Sequence, residues 1–342
     1  MTGNMQDASF ADAIVKGIQG FDHNEAFKVI FQDATDPSNS HGRKGLADYL
    51  KLGYIRTGHG VGDEVSAALN YVLADYAVAQ AAEKLGESAK AKQLLDQSER
   101  AWRAIFDSSS GGFFRARNDT GSFVEPFDKF GWGGPYTEAS AWQYRFYLPS
   151  DPRGLSAEYD TVEEGAMCKL LNETMTAHAT AHKSLWGLHH EQSELFDNCF
   201  GLYEHNNQPV WHQMFMFAPS GCRSEGQYWM RKAAEEFYSP EDYTGDEDNG
   251  SMAAWYLLSA MGIYQLAPGN TTYSIGSPMY EHVSVALDGG ETLDIVAKGN
   301  SAATPYVCSV SFNGKQLDSF TIDYFDLLKG GELAFTMSAS AC

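Results

Sequence analysis

No apolar run in the 342 residues approaches the roughly 18 that a membrane-spanning helix requires. Basic residues are scarce. Lys and Arg number 24 against 45 Asp and Glu, a formal net charge of −21 and a pI of about 4.7. Phosphate backbones and anionic headgroups are bound through positive surface, so this balance argues against nucleic acid and against an anionic membrane as partners. A neutral ligand suits it. Cysteine is also sparse. Cys168, Cys199, Cys222, Cys308 and Cys342 are widely spaced, with no C-x-x-C pair. That excludes the common zinc patterns and a dense disulfide framework, and leaves room for one bridge. The amino end, from Met1 to Asp7, has neither the basic nor the apolar region of a signal peptide.

What is present is periodic. Hydrophobic residues make up 43% of the chain, enough for a sizeable core, and the length suits two domains or one large domain with an appendage. Phe10, Ala13, Ile14, Gly17 and Ile18 predict a helix over 9–18, and a second short helix follows over 24–31. Residues 35–62 are rich in Gly, Ser, Asn and His and read as a connector. The clearest helix covers 63–85. Asp63 or Gly62 caps it, Val65, Ala68, Leu69, Val72, Leu73, Tyr76, Ala79 and Leu85 form an apolar stripe, and Gly86 closes it. Residues 88–106 are its antiparallel partner, with Leu94, Leu95, Ala101, Trp102, Ile105 and Phe106 turned inward.

Residues 108–135 form a long loop carrying aromatic and basic side chains, among them Phe113, Arg115, Phe127 and Trp132. Loops of that length inside compact domains are usually functional. A helix opens next, with Thr137 as its N-cap and Glu138 in its first turn, and others are predicted over 156–175 and 224–238. After Pro268 the pattern changes. Alternating segments near 273, 283, 292, 306 and 333 are separated by Asp288-Gly289-Gly290 and Asn313-Gly314, the signature of strands and tight turns. The fold expected is mainly α, a helical domain over 1–268 followed by a small antiparallel β domain over 269–342.

The stretch 245–264 carries the densest chemistry. Asp246, Glu247 and Asp248 stand between Gly245 and Asn249-Gly250, directly before an apolar helical run. Asp248, Asn249 and Ser251 are N-cap candidates, so the acidic triplet lies on a turn at a helix start. Ordinary capping would explain one carboxylate there. Three adjacent ones repel, which favours a functional reading. His178, His182, His189, His190 and Glu191 include metal-ligand types, but no H-E-x-x-H pattern is present, and isolated histidines on helices are commonly structural or exposed. Asn-x-Ser/Thr sequons stand at Asn118, Asn172, Asn249 and Asn270.

Three segments carry a family resemblance. Gly245-Asp246-Glu247-Asp248-Asn249-Gly250, with Met252, Ala254-Trp255-Tyr256, Gly262-Ile263-Tyr264 and Pro268-Gly269, resembles a signature of glycoside hydrolase family 92, the calcium-dependent exo-acting α-mannosidases. Trp132-Gly133-Gly134, Tyr136-Thr137-Glu138 and Ala141-Trp142-Gln143-Tyr144 are similar to a second family segment, with Ala139-Ser140 where the family usually has Gly-Asn. Tyr203 to Pro209 resembles a third, with Asn206 in place of Gly and Gln208 in place of Glu. Ile275-Gly276-Ser277-Pro278 and Asn313-Gly314-Lys315 resemble the family's tail.

The resemblance implies an (α/α)6-toroid-like helical domain, and a typical member also carries an amino-terminal β-sandwich, for which these 342 residues are expected to begin too late. It implies release of terminal α-mannose from glycans with inversion, and a secretory or extracellular setting. Glu138 would be the general acid. Asp246 or Asp248 would be the base, Asp248 being preferred because it lies nearest the helix amides. Glu247 is expected to face away from that pair. Sugar contacts would fall to Trp132, Trp142, His205, Asn207, Gln208 and Glu247. Calcium would be held by Asn207, Gln208 and Asp248, although a neutral amide at 208 removes one of the charges that hard cations favour. Two other readings stay open: a catalytically inactive carbohydrate-binding or scaffold protein of the same fold, and a toroid glycosidase with another sugar preference.

Overall fold

The computed structural model describes residues 5–39, 42–177, 199–241 and 244–342. The histidines at 178, 182, 189 and 190, and Glu191, lie outside the described residues. The chain divides into two compact units. The first takes in 5–39, 42–164 and 267–270, and the second 165–177, 199–241, 244–266 and 271–342.

The first unit is built around the helix Glu64–Lys84. Burial there is nearly all-round, with every residue from Glu64 to Asp75 buried, rather than confined to the stripe the sequence predicts. The cause is the run of alanines at 67, 68, 74, 77, 79, 81 and 82, which lets neighbours approach closely on several sides. Met5–Lys16 and Ser88–Ile105 both pack on it. Gly86, at φ 80°, makes the turn between the two long helices, as expected. Ser88–Ile105 buries Ala91, Leu94, Ala101, Trp102 and Ile105 at helical spacing, while Leu95 turns out to solvent.

Other boundaries move. The helix expected at 24–31 extends over His23–Thr35, capped by Asp22, whose side chain accepts from the amides of Asn24 and Glu25. The connector 35–62 contains a helix, Leu46–Leu52, framed by Gly45 and Gly53, both left-handed. The helix expected over 156–175 is two helices, Pro152–Asp160 and Ala166–Thr176, parted near Gly165 at φ 73°. Strands β1 (Phe106–Asp107) and β2 (Phe113–Phe114) pair within the long loop.

A charged cluster is buried in this unit. The Arg43 guanidinium meets Asp75 at 2.5 Å and Asp7 at 3.2 Å. Tyr49 and Gln97 also donate to Asp75, at 2.8 and 2.7 Å. One cation therefore faces two carboxylates, and burial pushes the Asp7 carboxyl up to about 7.

The second unit joins the helices Arg223–Glu236 and Ser251–Met261 to small sheets. Strands β3 (Cys199–Phe200) and β4 (Tyr203–Glu204) pair with each other. A three-stranded sheet has the order β11 (Thr321–Asp323), β6 (Thr272–Ile275), β5 (Ile263–Gln265). A five-stranded sheet runs β10 (Lys315–Gln316), β9 (Tyr306–Phe312), β12 (Gly331–Ser338), β8 (Thr292–Val296), β7 (His282–Ala286). Pairing is antiparallel throughout except that β12 runs parallel to β8. The chain reaches β12 through β11 and the short helix Tyr324–Leu327 rather than through a hairpin, so it enters between β9 and β8. Asn313 and Gly314, both at positive φ, make the β9–β10 turn as their sequence predicts. Two disulfides form where the sequence left room for one, Cys168–Cys222 and Cys308–Cys342. Only the fold brings cysteines 54 and 34 residues apart within bonding reach.

Candidate active site

The acidic triplet precedes the helix Ser251–Met261, but Glu247 and Asp248 are used differently. The N-cap is Gly250, at φ 99°. Asp248 and Asn249 also take positive φ, 47° and 60°. This left-handed run folds the Glu247 side chain over the helix start. One Glu247 oxygen accepts from the amide of Gly250, and the other accepts from that of Ala253 at 3.0 Å. Glu247, expected to face away, is thus the residue that satisfies helix amides, and Asp248, expected nearest them, is released to point elsewhere. Asp248 is exposed, and its Oδ2 accepts a hydrogen bond from the Gln208 amide nitrogen.

Gln208 is set by the buried segment 204–207. The Asn207 side chain accepts from the Gln208 amide at 2.9 Å, and Pro209 continues a single 3-10 turn. Gly245 makes the approach of the two loops possible, because a Cβ there would lie 2.4 Å from the Asn206 carbonyl oxygen. His205 is fully buried. Its Nδ1 meets the Tyr203 hydroxyl and its Nε2 the Tyr238 hydroxyl, both at 2.8 Å. Its ring packs edge-on to Trp255, and burial drives its pKa down to about 3. The structure thus makes His205 a neutral support for this loop rather than the sugar contact expected of it.

In the first unit, Glu138 lies in a turn closed by a hydrogen bond from the Gly133 amide to the Ala139 carbonyl, 2.9 Å. Its φ is 47°, a conformation a glutamate rarely adopts. The N-terminus of the central helix clamps the same turn. The Val65 and Ser66 amides donate to the Pro135 carbonyl, the Thr137 amide donates to Ser66 Oγ at 2.8 Å, and the Thr137 hydroxyl donates to Asp63 at 3.0 Å. Thr137 is therefore not a helix cap. Ser140 is, in a capping box with Gln143 on the short helix Ala141–Tyr144. Glu138 stands two residues before that cap, outside the first helical turn. Asp63, read from sequence only as a cap, and Ser66 are the supporting residues that sequence reasoning missed.

Trp142 is 3% exposed and packs against Phe113 and Phe130, which makes it a core residue rather than a sugar platform. Trp132 is half-buried and walls a cavity of about 490 Å³ in the first unit, together with Glu64, Arg115, Phe127, Asp128 and Tyr136.

The donors proposed for calcium are Asn207, Gln208 and Asp248. Hard cations take six to eight oxygens, several of them carboxylate. Here Asp248 supplies the single formal charge, and one of its oxygens faces an N–H of Gln208. Glu247 is spent on the helix. Among the described residues no three His, Cys, Asp or Glu groups are gathered as a metal would need. As arranged, this set does not fit a calcium ion.

The fold is shared with solved α-mannosidases. The chain is similar to the family GH92 α-mannosidase BT3965 from Bacteroides thetaiotaomicron, with 28% identity and a TM-score of 0.88 over 100% of this chain and 43% of that one. The same protein in complex with mannoimidazole gives 27% and 0.90, over 100% and 44%. The family GH92 inverting mannosidase BT2199 from Bacteroides thetaiotaomicron VPI-5482 gives 32% and 0.86, over 100% and 46%. The chain thus spans less than half the length of these relatives. No curated protein matches it. The glycosyl hydrolase family 92 catalytic domain matches residues 1–339, and the chain belongs to that family.

Proposed function

We propose that the chain is the catalytic portion of a glycoside hydrolase that removes terminal α-linked mannose from glycans with inversion. The family match over residues 1–339 carries this reading, and the similarity of the whole chain to mannosidases, one of them described as inverting, supports it. Inverting hydrolysis uses one carboxylic acid to protonate the leaving oxygen and one carboxylate to activate water, about 6.5–9.5 Å apart. Glu138 is assigned the first role and Asp248 the second, with Asp246 beside it. Both Glu138 and Asp248 hold positive φ. That conformation costs a non-glycine residue on the order of 1–3 kcal/mol and persists where the surroundings enforce it, which is common at active sites.

Trp132, Asn207 and Gln208 remain the sugar contacts of this reading. Trp142, His205 and Glu247 leave it, since each is engaged within its own unit. The helical part is assigned to an (α/α)6 toroid over 1–268, with the β region over 269–342. Calcium belongs to the reading through the family resemblance alone.

Hydrolysis of an aryl α-mannoside, followed by NMR of the released sugar, tests the proposal. β-Mannose should appear first, and on α-mannobiose, whose leaving oxygen must be protonated, Glu138→Gln should abolish most of the rate. α-Mannose as the first product would overturn inversion. Sugar binding without any turnover would point to the inactive carbohydrate-binding reading.

A further inference from the structure

We propose that the cavity beside the Glu138 turn is a subsite for the sugar that leaves, a neutral pyranose whose hydroxyls bind Glu64 and whose ring stacks on Trp132. This rests on the reading of Glu138 as the acid. The cavity, about 490 Å³, falls within the range of roughly 300–1,000 Å³ typical of small-ligand sites. Its wall runs from Gly131 to Tyr136, and Glu138 follows two residues later in the same closed turn.

Glu64 is the unusual residue. It is 5% exposed, lines the cavity, and has no hydrogen-bond or ion-pair partner among the described residues. A buried carboxylate is costly unless donors reach it. The neighbouring cation does not supply them. Arg115 is already committed to Asp107 and Glu125, both at 2.6 Å, and to the Val124 carbonyl at 2.7 Å. The donors must therefore come from the cavity. The charges there decide which kind. Arg115 is neutralised by two carboxylates, so Glu64 and Asp128 leave the lining negative, which repels an anionic ligand. No three-ligand metal group is present among the described residues. A polyol offers hydroxyl donors to Glu64 without charge. Its axial C–H face matches the half-buried ring of Trp132, and Phe127 adds apolar wall. Tyr136 contributes only its ring, because its hydroxyl is tied to the Phe114 carbonyl at 2.6 Å.

The experiment compares Glu64→Gln and Trp132→Ala with the wild-type chain on two substrates, an aryl α-mannoside and α-mannobiose. The disaccharide places a sugar in the leaving position, whereas the aryl group offers no hydroxyls. With the disaccharide, Glu64→Gln should raise KM about tenfold or more, the scale of a lost charged hydrogen bond, with kcat changed less. With the aryl substrate its kcat/KM should stay within about threefold. Glu64→Asp should recover part of the loss, and thermal unfolding checks that each variant folds. Equal effects on both substrates, or none on either, would overturn the subsite while leaving the mannosidase reading intact. If the wild type turns over neither substrate, titration with mannobiose decides. Binding weakened by Glu64→Gln would support the subsite, and binding unaffected by it, or absent, would sink it.

Discussion

The Gln208 side chain donates its amide hydrogen to Asp248, the carboxylate assigned as the base. The contact ties a short 3-10 turn to an acidic loop, and it places a nitrogen where a cation site would want an oxygen. Calcium should therefore matter little to this chain. Its Tm should shift by less than about 1 °C between calcium and a chelator. Gln208→Glu would set two carboxylates together, a repulsion that a cation relieves. That variant should melt lower in chelator and be restored by calcium. A wild-type Tm that rises steeply with calcium, and a Gln208→Ala variant that loses the response, would show that the site binds the ion after all.

Removing the acid and removing the base should be separable. General acid–base groups contribute about 10²–10⁴-fold. Glu138→Gln should lose on that order in kcat on a substrate with a poor leaving group, and much less on one whose leaving group needs no proton. Asp248→Asn should lose a similar factor on both. A leaving-group series measured on the two variants distinguishes them, and parallel losses for Glu138→Gln across the series would remove it from the acid's role.

Stability should respond to pH through buried groups of opposite sign, Asp7 and Asp75 on one side and His205 on the other. Burial raises Asp7 to about 7, against the influence of Arg43, with Asp33 and Asp75 raising it further. The raised pKa means that the folded state favours the protonated acid. That contribution is fully present below about pH 4 and is lost as pH rises through 7. Burial lowers His205 to about 3. The folded state favours the neutral ring, so that contribution is present above about pH 6.5 and is lost as pH falls toward 3. The two oppose one another between about pH 4 and 6.5. Burial raises the Asp75 carboxyl too, so Asp7→Asn should weaken the first arm rather than abolish it, and denaturant-measured stability should climb more steeply with pH across that window. An unchanged slope would mean that Asp7 ionises in the fold as it does in the unfolded chain.

The Cys168–Cys222 bridge closes a loop of 54 residues. Bridges of that kind typically contribute about 2–4 kcal/mol. Replacing both cysteines by serine should lower unfolding stability by about that much, and thiol reductant, which also opens Cys308–Cys342, should lower that of the wild type at least as far. Insensitivity to reductant, with two thiols titrating at these positions, would contradict the bridge.

Much of the fold was legible because it is local. The 3.6-residue recurrence over 63–85, the capping glycine at 86 and the Asn313-Gly314 turn are preferences that short segments express on their own. The helix Leu46–Leu52 was not, since seven residues between glycines give too short a pattern to separate from a connector. The parallel partner of β12 was not either, because strand order depends on where a distant connection returns.

The candidate site divides in the same way. Sequence by itself determined which residue types stand where: the carboxylates at 138 and 246–248, the amide at 208, the aromatics at 132 and 142. Tertiary structure alone decided what each of them faces. Glu247 rather than Asp248 covers the helix amides because three successive left-handed residues turn the chain there. His205 and Trp142 became core because aromatic neighbours enclose them, and Glu64 was left against a cavity with no partner among the described residues. A side chain's surroundings are assembled from remote segments, and no spacing along the chain encodes them.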